Sequence, residues 1–122
     1  MEISNYEFRV VVDIDGTLVK KVFSKQETEI SIHNPYDNII YNYQVHHEHV
    51  QLIKRYKARG LFVEVWTADG VKHAESVVKA LGLTDYVDRV STKPIKCLDD
   101  KANLNDICGN RVFIPKEGWK TE

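Results

Sequence analysis

The stretch Val10-Val11-Val12-Asp13-Ile14-Asp15-Gly16-Thr17 constrains this chain more than any other. A β-branched apolar run predicts a buried strand over residues 8–13, and it stops at two aspartates, a glycine and a threonine. Open α/β sheets bind their ligands just beyond the carboxyl ends of the strands, so both carboxylates are expected at a site position. Two residues apart, Asp13 and Asp15 would point to one face, and Gly16 lets the backbone turn tightly and approach a ligand. Clustered carboxylates repel each other unless a cation or a shared proton relieves them, which implies a divalent metal. A plain Asp-Gly turn with solvated acids is the competing reading, and the rest of the chain weighs against it.

Strands are expected to alternate with helices. Val45–Arg59 carries Val50, Ile53 and Tyr56 at helical spacing before Gly60, and Val71–Leu81 carries Ala74, Val77, Val78 and Leu81 before Gly82. Between them, Leu61–Trp66 reads as a strand ending in Thr67-Ala68-Asp69-Gly70. Tyr86–Val90 reads as a short strand, Ile95–Leu98 as another ending in Asp99-Asp100, Lys101–Ile107 as a short helix and Arg111–Ile114 as a last strand. Cys97, inside the expected 95–98 strand, reads as a small buried hydrophobe. Residues 18–32 alternate around Ser24-Lys25-Gln26-Glu27 and suggest a hairpin, whereas Ile39–Tyr43 is readable as strand or loop. This order predicts an α/β fold with a parallel sheet, on which Asp13/Asp15, Thr67 and Asp99/Asp100 converge from three strand ends.

With 122 residues, a single domain over 1–122 is expected. A net charge of -1 removes any global electrostatic case for nucleic-acid or membrane binding, and the apolar runs are too short to span a bilayer. Cys97 and Cys108 match neither a disulfide framework nor a zinc pattern, so a reducing, cytoplasmic setting is expected. His46-His47-Glu48-His49 is not His-Glu-x-x-His, because Gln51 stands where the second histidine would, so a solvated helix start is expected there.

Four acids, a hydroxyl and a lysine around one metal suit a phosphoryl group. One carboxylate can attack phosphorus, and a second carboxylic acid can protonate the leaving oxygen and then activate water. Asp13-Ile14-Asp15-Gly16-Thr17, Thr67 after a hydrophobic strand, Lys93, and Asp99-Asp100 after another strand together resemble the haloacid dehalogenase-like phosphatases. These motifs occur in family order from Asp13 to Asp100, and Trp66-Thr67 with Leu98-Asp99-Asp100-Lys101-Ala102 looks most like short, capless members found in bacteriophage genomes.

The resemblance implies a three-layer Rossmann-like parallel sheet with a small β-hairpin flap over about 18–44 and no large cap domain. It implies Asp13 as nucleophile, Asp15 as general acid/base, Thr67 and the Ala68 backbone on the phosphoryl oxygens, and Lys93 holding nucleophile and phosphate together. Mg²⁺ would be held by Asp13, Asp15, Asp99 and Asp100, and Thr17 would brace the loop. Lys96 competes with Lys93 but lies inside the expected strand. The implied activity is a Mg²⁺-dependent phosphomonoesterase. Its open site would suit a phosphorylated small molecule or a polynucleotide end, and Lys20, Lys21 and Lys25 on the flap would suit a polyanion. Asp15 argues against dehalogenation, because true dehalogenases of the family lack that acid. The alternatives are a receiver-like phosphoacceptor, whose acid pair would end the first strand, and a partner-recruiting module that has lost turnover. The flap or the tyrosine-rich segment is the surface expected for any homo-oligomer.

Overall fold

Val10–Val12 and Val63–Val65 are the hydrophobic backbone of the molecule, and they lie side by side. The computed structural model describes residues 8–101, 103 and 109–120. Strand β1 (Arg9–Asp13) pairs in parallel with β5 (Phe62–Thr67), placing Asp13 opposite Trp66. On its other edge β5 pairs in parallel with β6 (Arg89–Thr92), Thr67 opposite Thr92. Parallel neighbours need crossovers, and α2 (Val71–Ala80) supplies the one from β5 to β6. Glu64, buried in mid-β5, has its charge met by Arg9 at 3.2 Å and Arg89 at 3.3 Å from the flanking strands.

A second, antiparallel sheet is built from β2 (Val19–Val22), β3 (Ile30–His33) and β4 (Ile40–Val45), in the order β2-β4-β3. The expected hairpin is therefore not one: β2 and β3 each pair with β4 rather than with each other. The tyrosine-rich segment whose conformation the pattern left open is the central strand. Tyr43 faces the core, while Tyr41 receives the Lys21 ammonium 4.0 Å from its ring centre. The chain leaves β4 directly into α1 (His47–Ala58), which has Glu48 in its first turn and Arg55 and Lys57 in its last, as the helix dipole favours. Both helices pack on β5, and α2 also touches β6 and β3.

The α/β class and the parallel sheet agree with expectation, but the described residues form two three-stranded sheets and two helices. Three expected elements differ. The strand expected at 86–90 begins at Arg89, because Asp88 turns the chain by bonding Val63, its carboxylate accepting from Val63 N–H and its own N–H donating to Val63 C=O, both at 2.8 Å. Residues 95–98 form no strand. Ile95 and Leu98 are 98% and 106% exposed, and Cys97 is exposed rather than buried: outside a sheet, the apolar residues of this stretch bury nothing. Residues 111–114 are extended but join no sheet; Ile114 spends both of its backbone groups on histidine side chains. The helix expected over 101–107 and Cys108 fall largely outside the described residues.

Candidate active site

Ile14 organises the loop after β1. It is fully buried, so alternation along the backbone turns Asp13 and Asp15 away from the core toward the carboxyl edge of the sheet. The loop closes through Gly16 N–H to Val19 C=O and Leu18 N–H to Ile14 C=O, both 2.8 Å, with Gly16 at φ +85°, a conformation that favours glycine. Thr17 Oγ1 donates to Asp13 Oδ2 at 3.2 Å, and Lys93 Nζ reaches Asp13 Oδ1 at 3.0 Å. The nucleophile candidate is thus oriented through both oxygens. Lys93 is placed by its own N–H, which donates to Thr67 C=O at 2.8 Å just past the last β5–β6 pair. It is Lys93, not the exposed Lys96, that meets Asp13.

Asp13, Asp15, Thr17, Thr67, Ala68 and Lys93 line one cleft of ≈ 350 Å³. Thr67 is buried, and its Oγ1 accepts the Asp69 N–H at 3.0 Å. Asp99 and Asp100 lie elsewhere: both are exposed, neither lines the cleft, and Asp99 accepts the Lys101 N–H in a local turn. Their expected place depended on a strand over 95–98 that does not form.

Two further residues meet Asp15: Asp69, which lines the cleft, and His73, which does not and which on its own carried no usable signal in the sequence. His73, buried on the first turns of α2, places Nε2 3.2 Å from Asp15 Oδ1. Asp69 shares a side-chain hydrogen bond with Asp15. Burial pushes the Asp15 carboxyl up, but the hydrogen bonds from His73 and Asp69 outweigh it and hold the group below its ordinary value. The same bond to Asp15 raises Asp69, and His73 is raised by its bond to Asp15 against its burial. The signal was the spacing: Asp69 and His73 are four apart at the start of the helix that follows the threonine strand. Gly70 lies between them at φ +109°, where an added Cβ would meet Tyr36 Oη at 2.5 Å; that hydroxyl accepts the Lys72 N–H at 3.1 Å. The tip of the antiparallel sheet thus presses on the cleft's rim.

His46 and His49 are buried, 1% and 5% exposed, and not a solvated helix start. Their rings stack at 3.6 Å. The partners assign two neutral tautomers: His49 Nδ1 donates to Thr17 C=O at 2.7 Å while Nε2 accepts the Ile114 N–H at 2.9 Å. His46 Nδ1 accepts the His49 N–H, and Nε2 donates to Ile114 C=O at 2.8 Å. The pair thereby ties the loop after β1 to the segment around Ile114. Phe113 packs edge-on against both rings and Trp119 edge-on against His46.

Mg²⁺ binds oxygen donors in well-ordered octahedral geometry. Asp13 and Asp15 supply such oxygens at one cleft, so the donor chemistry fits. Among the described residues no three His, Cys, Asp or Glu side chains form a metal-holding group. Of the four residues expected around Mg²⁺, Asp13 and Asp15 line the cleft, whereas Asp99 and Asp100 do not. Among the described residues no helix is long and apolar enough to cross a membrane. In comparison with known proteins, the chain matches no family model and no curated sequence.

Proposed function

We propose that the protein is a Mg²⁺-dependent phosphomonoesterase of the haloacid dehalogenase-like type, working through an aspartyl-phosphate on Asp13. The observation that carries this reading is the Asp13 carboxylate, held by Lys93 at 3.0 Å and by the Thr17 hydroxyl at 3.2 Å in a cleft that Thr67 and Asp15 also line. A three-layer core and a cytoplasmic setting belong to the same reading. The parallel register of β1, β5 and β6 supports the first, and the absence of any disulfide or zinc spacing for the two cysteines in the sequence is what the second rests on.

In this reading Lys93 and Thr67 bind the transferring phosphoryl oxygens, and Lys93 keeps Asp13 aimed at phosphorus. An Asp13 oxygen attacks, the ester P–O bond breaks, and Asp15 gives a proton to the leaving oxygen. A phosphate dianion beside Asp15 raises its carboxyl by like-charge repulsion, opposing the hold of His73. Asp15 then takes a proton from water, whose oxygen attacks the phosphorus and releases inorganic phosphate and free Asp13. Mg²⁺ held by Asp13 and Asp15 would neutralise charge on the phosphoryl oxygens.

The test is phosphate release from an aryl phosphate, nucleoside monophosphates and a 3′-phosphorylated oligonucleotide. Release should require Mg²⁺, stop with EDTA and fall roughly a thousandfold or more in Asp13→Asn. Stable phosphorylation of Asp13 without release would point instead to a phospho-accepting module. No release and no phosphorylation from a folded protein would sink both readings.

A further inference from the structure

The cleft has a second wall that the catalytic reading does not use. Arg111, Phe113 and Lys120, all from the C-terminal segment, line it together with Asp13, Thr67 and Lys93. Their placement is built. Ile114 is bonded at both backbone groups by His46 and His49, Gly118 C=O accepts the Lys20 ammonium at 2.5 Å, and the Trp119 side chain is buried against His46. Ordering a dozen residues costs about 1–2 kcal/mol each, so an irregular segment tied at 114, 118 and 119 is held there against a large entropic cost.

The chemistry of this wall differs from that of the catalytic wall. Lys93 is already engaged by Asp13, and Asp15 and Asp69 bring negative charge. Among the described residues, the C-terminal wall contributes two cations and an aromatic ring to the cleft. A simple phosphate ester would occupy only the catalytic side, whereas ≈ 350 Å³ falls within the size range of pockets for larger ligands. Resting on the phosphatase reading for the position of the scissile group, we infer that the C-terminal wall is a second-phosphate subsite. The substrate is then a phosphomonoester whose leaving group carries another phosphate and a planar base. Arg111 and Lys120 take the second phosphate and Phe113 takes the base. A nucleoside bisphosphate and a 3′-phosphorylated oligonucleotide share this chemistry.

The experiment measures equilibrium binding to Asp13→Asn protein with Mg²⁺, using adenosine 3′,5′-bisphosphate, the two adenosine monophosphates and a 3′-phosphorylated dinucleotide. At least one two-phosphate ligand should bind about tenfold or more tighter than the monophosphates, or ~1.4 kcal/mol. Arg111→Gln with Lys120→Gln should erase that gap, and Arg111→Lys with Lys120→Arg should restore most of it. Tighter binding of the dinucleotide would identify a polynucleotide end, and of the bisphosphate a free nucleotide. Equal affinity for one and two phosphates, or a gap that survives the double Gln variant, overturns the subsite. Phosphate release from the wild-type protein separates the two ideas. Tight two-phosphate binding without release defeats the phosphatase and keeps the subsite, whereas release from aryl phosphate without a two-phosphate preference does the reverse.

Discussion

His49 does most at the scale of single residues. A neutral imidazole has one donor and one acceptor nitrogen, and both are spent, on Thr17 C=O and Ile114 N–H. Protonation turns Nε2 into a second donor facing a donor. Burial holds the His49 pKa below its ordinary 6.5, against the bond to Thr17 and with the nearby His46. A base whose folded pKa is depressed stabilises the fold fully above its unfolded value and loses that stabilisation as pH falls through the folded value. Lowering the pH from about 8 to about 5 should therefore cost the wild type more stability than it costs His49→Gln, which keeps a donor and an acceptor but does not titrate. Urea titrations at several pH values would show this. Parallel pH profiles for the two proteins would mean that folding does not depress the His49 pKa. His73 titrates identically in both proteins and cancels from the difference.

At the scale of elements, legibility followed burial. The strands over 10–13 and 62–66 and both helices were readable because each buries an apolar face wide enough to impose its period on the sequence. That Asp13, Asp15 and Thr67 share a cleft was readable because strand ends on a parallel sheet converge by topology, whereas Lys93 was singled out only by the family resemblance. Three things escaped. The pairing of β2 and β3 with β4 is a tertiary choice that alternation alone does not encode. The His46–His49 link spends polar side chains on backbone groups 65 and 68 residues away, which no local pattern reveals. Ile95-Lys96-Cys97-Leu98 has the pattern of a strand without a strand's environment, and Asp99 and Asp100 go with it. The consequence is measurable. Replacing Ile95 or Leu98 by Asp should change unfolding free energy by less than ~0.5 kcal/mol, as for exposed positions. A loss of ~2 kcal/mol or more in denaturant titration would mean that these side chains are buried after all.

At the scale of the whole molecule, the two sheets share one core. Val12, Val63 and Val65 of the parallel sheet pack in the same cluster as Leu18, Val19, Ile32, Tyr43 and Val45, with Ile53 and Val77 from the two helices. The antiparallel sheet is thus no loose flap. Its first strand leaves directly from the loop after β1, its tip presses Tyr36 against Gly70, and its central Tyr43 is buried enough that desolvation, with Asp15 nearby, pushes its phenol up to about 12. Cooperative unfolding follows where elements have no separate cores to fall back on. Far-UV circular dichroism and the fluorescence of Trp66 and Trp119 should therefore report one transition with one midpoint in urea. Tyr43→Ala should lower both signals' midpoints together, by the equivalent of ~3 kcal/mol, because the cavity opens between the sheets. If Tyr43→Ala split the transition, leaving the tryptophan signal in place, the antiparallel sheet would be a separable unit. The cleft's rim at Gly70 would then move independently of Asp13 and Lys93. A single shifted transition would instead mean that cleft geometry and the stability of the antiparallel sheet are one quantity, so that destabilising the sheet also loosens the hold of Lys93 on Asp13.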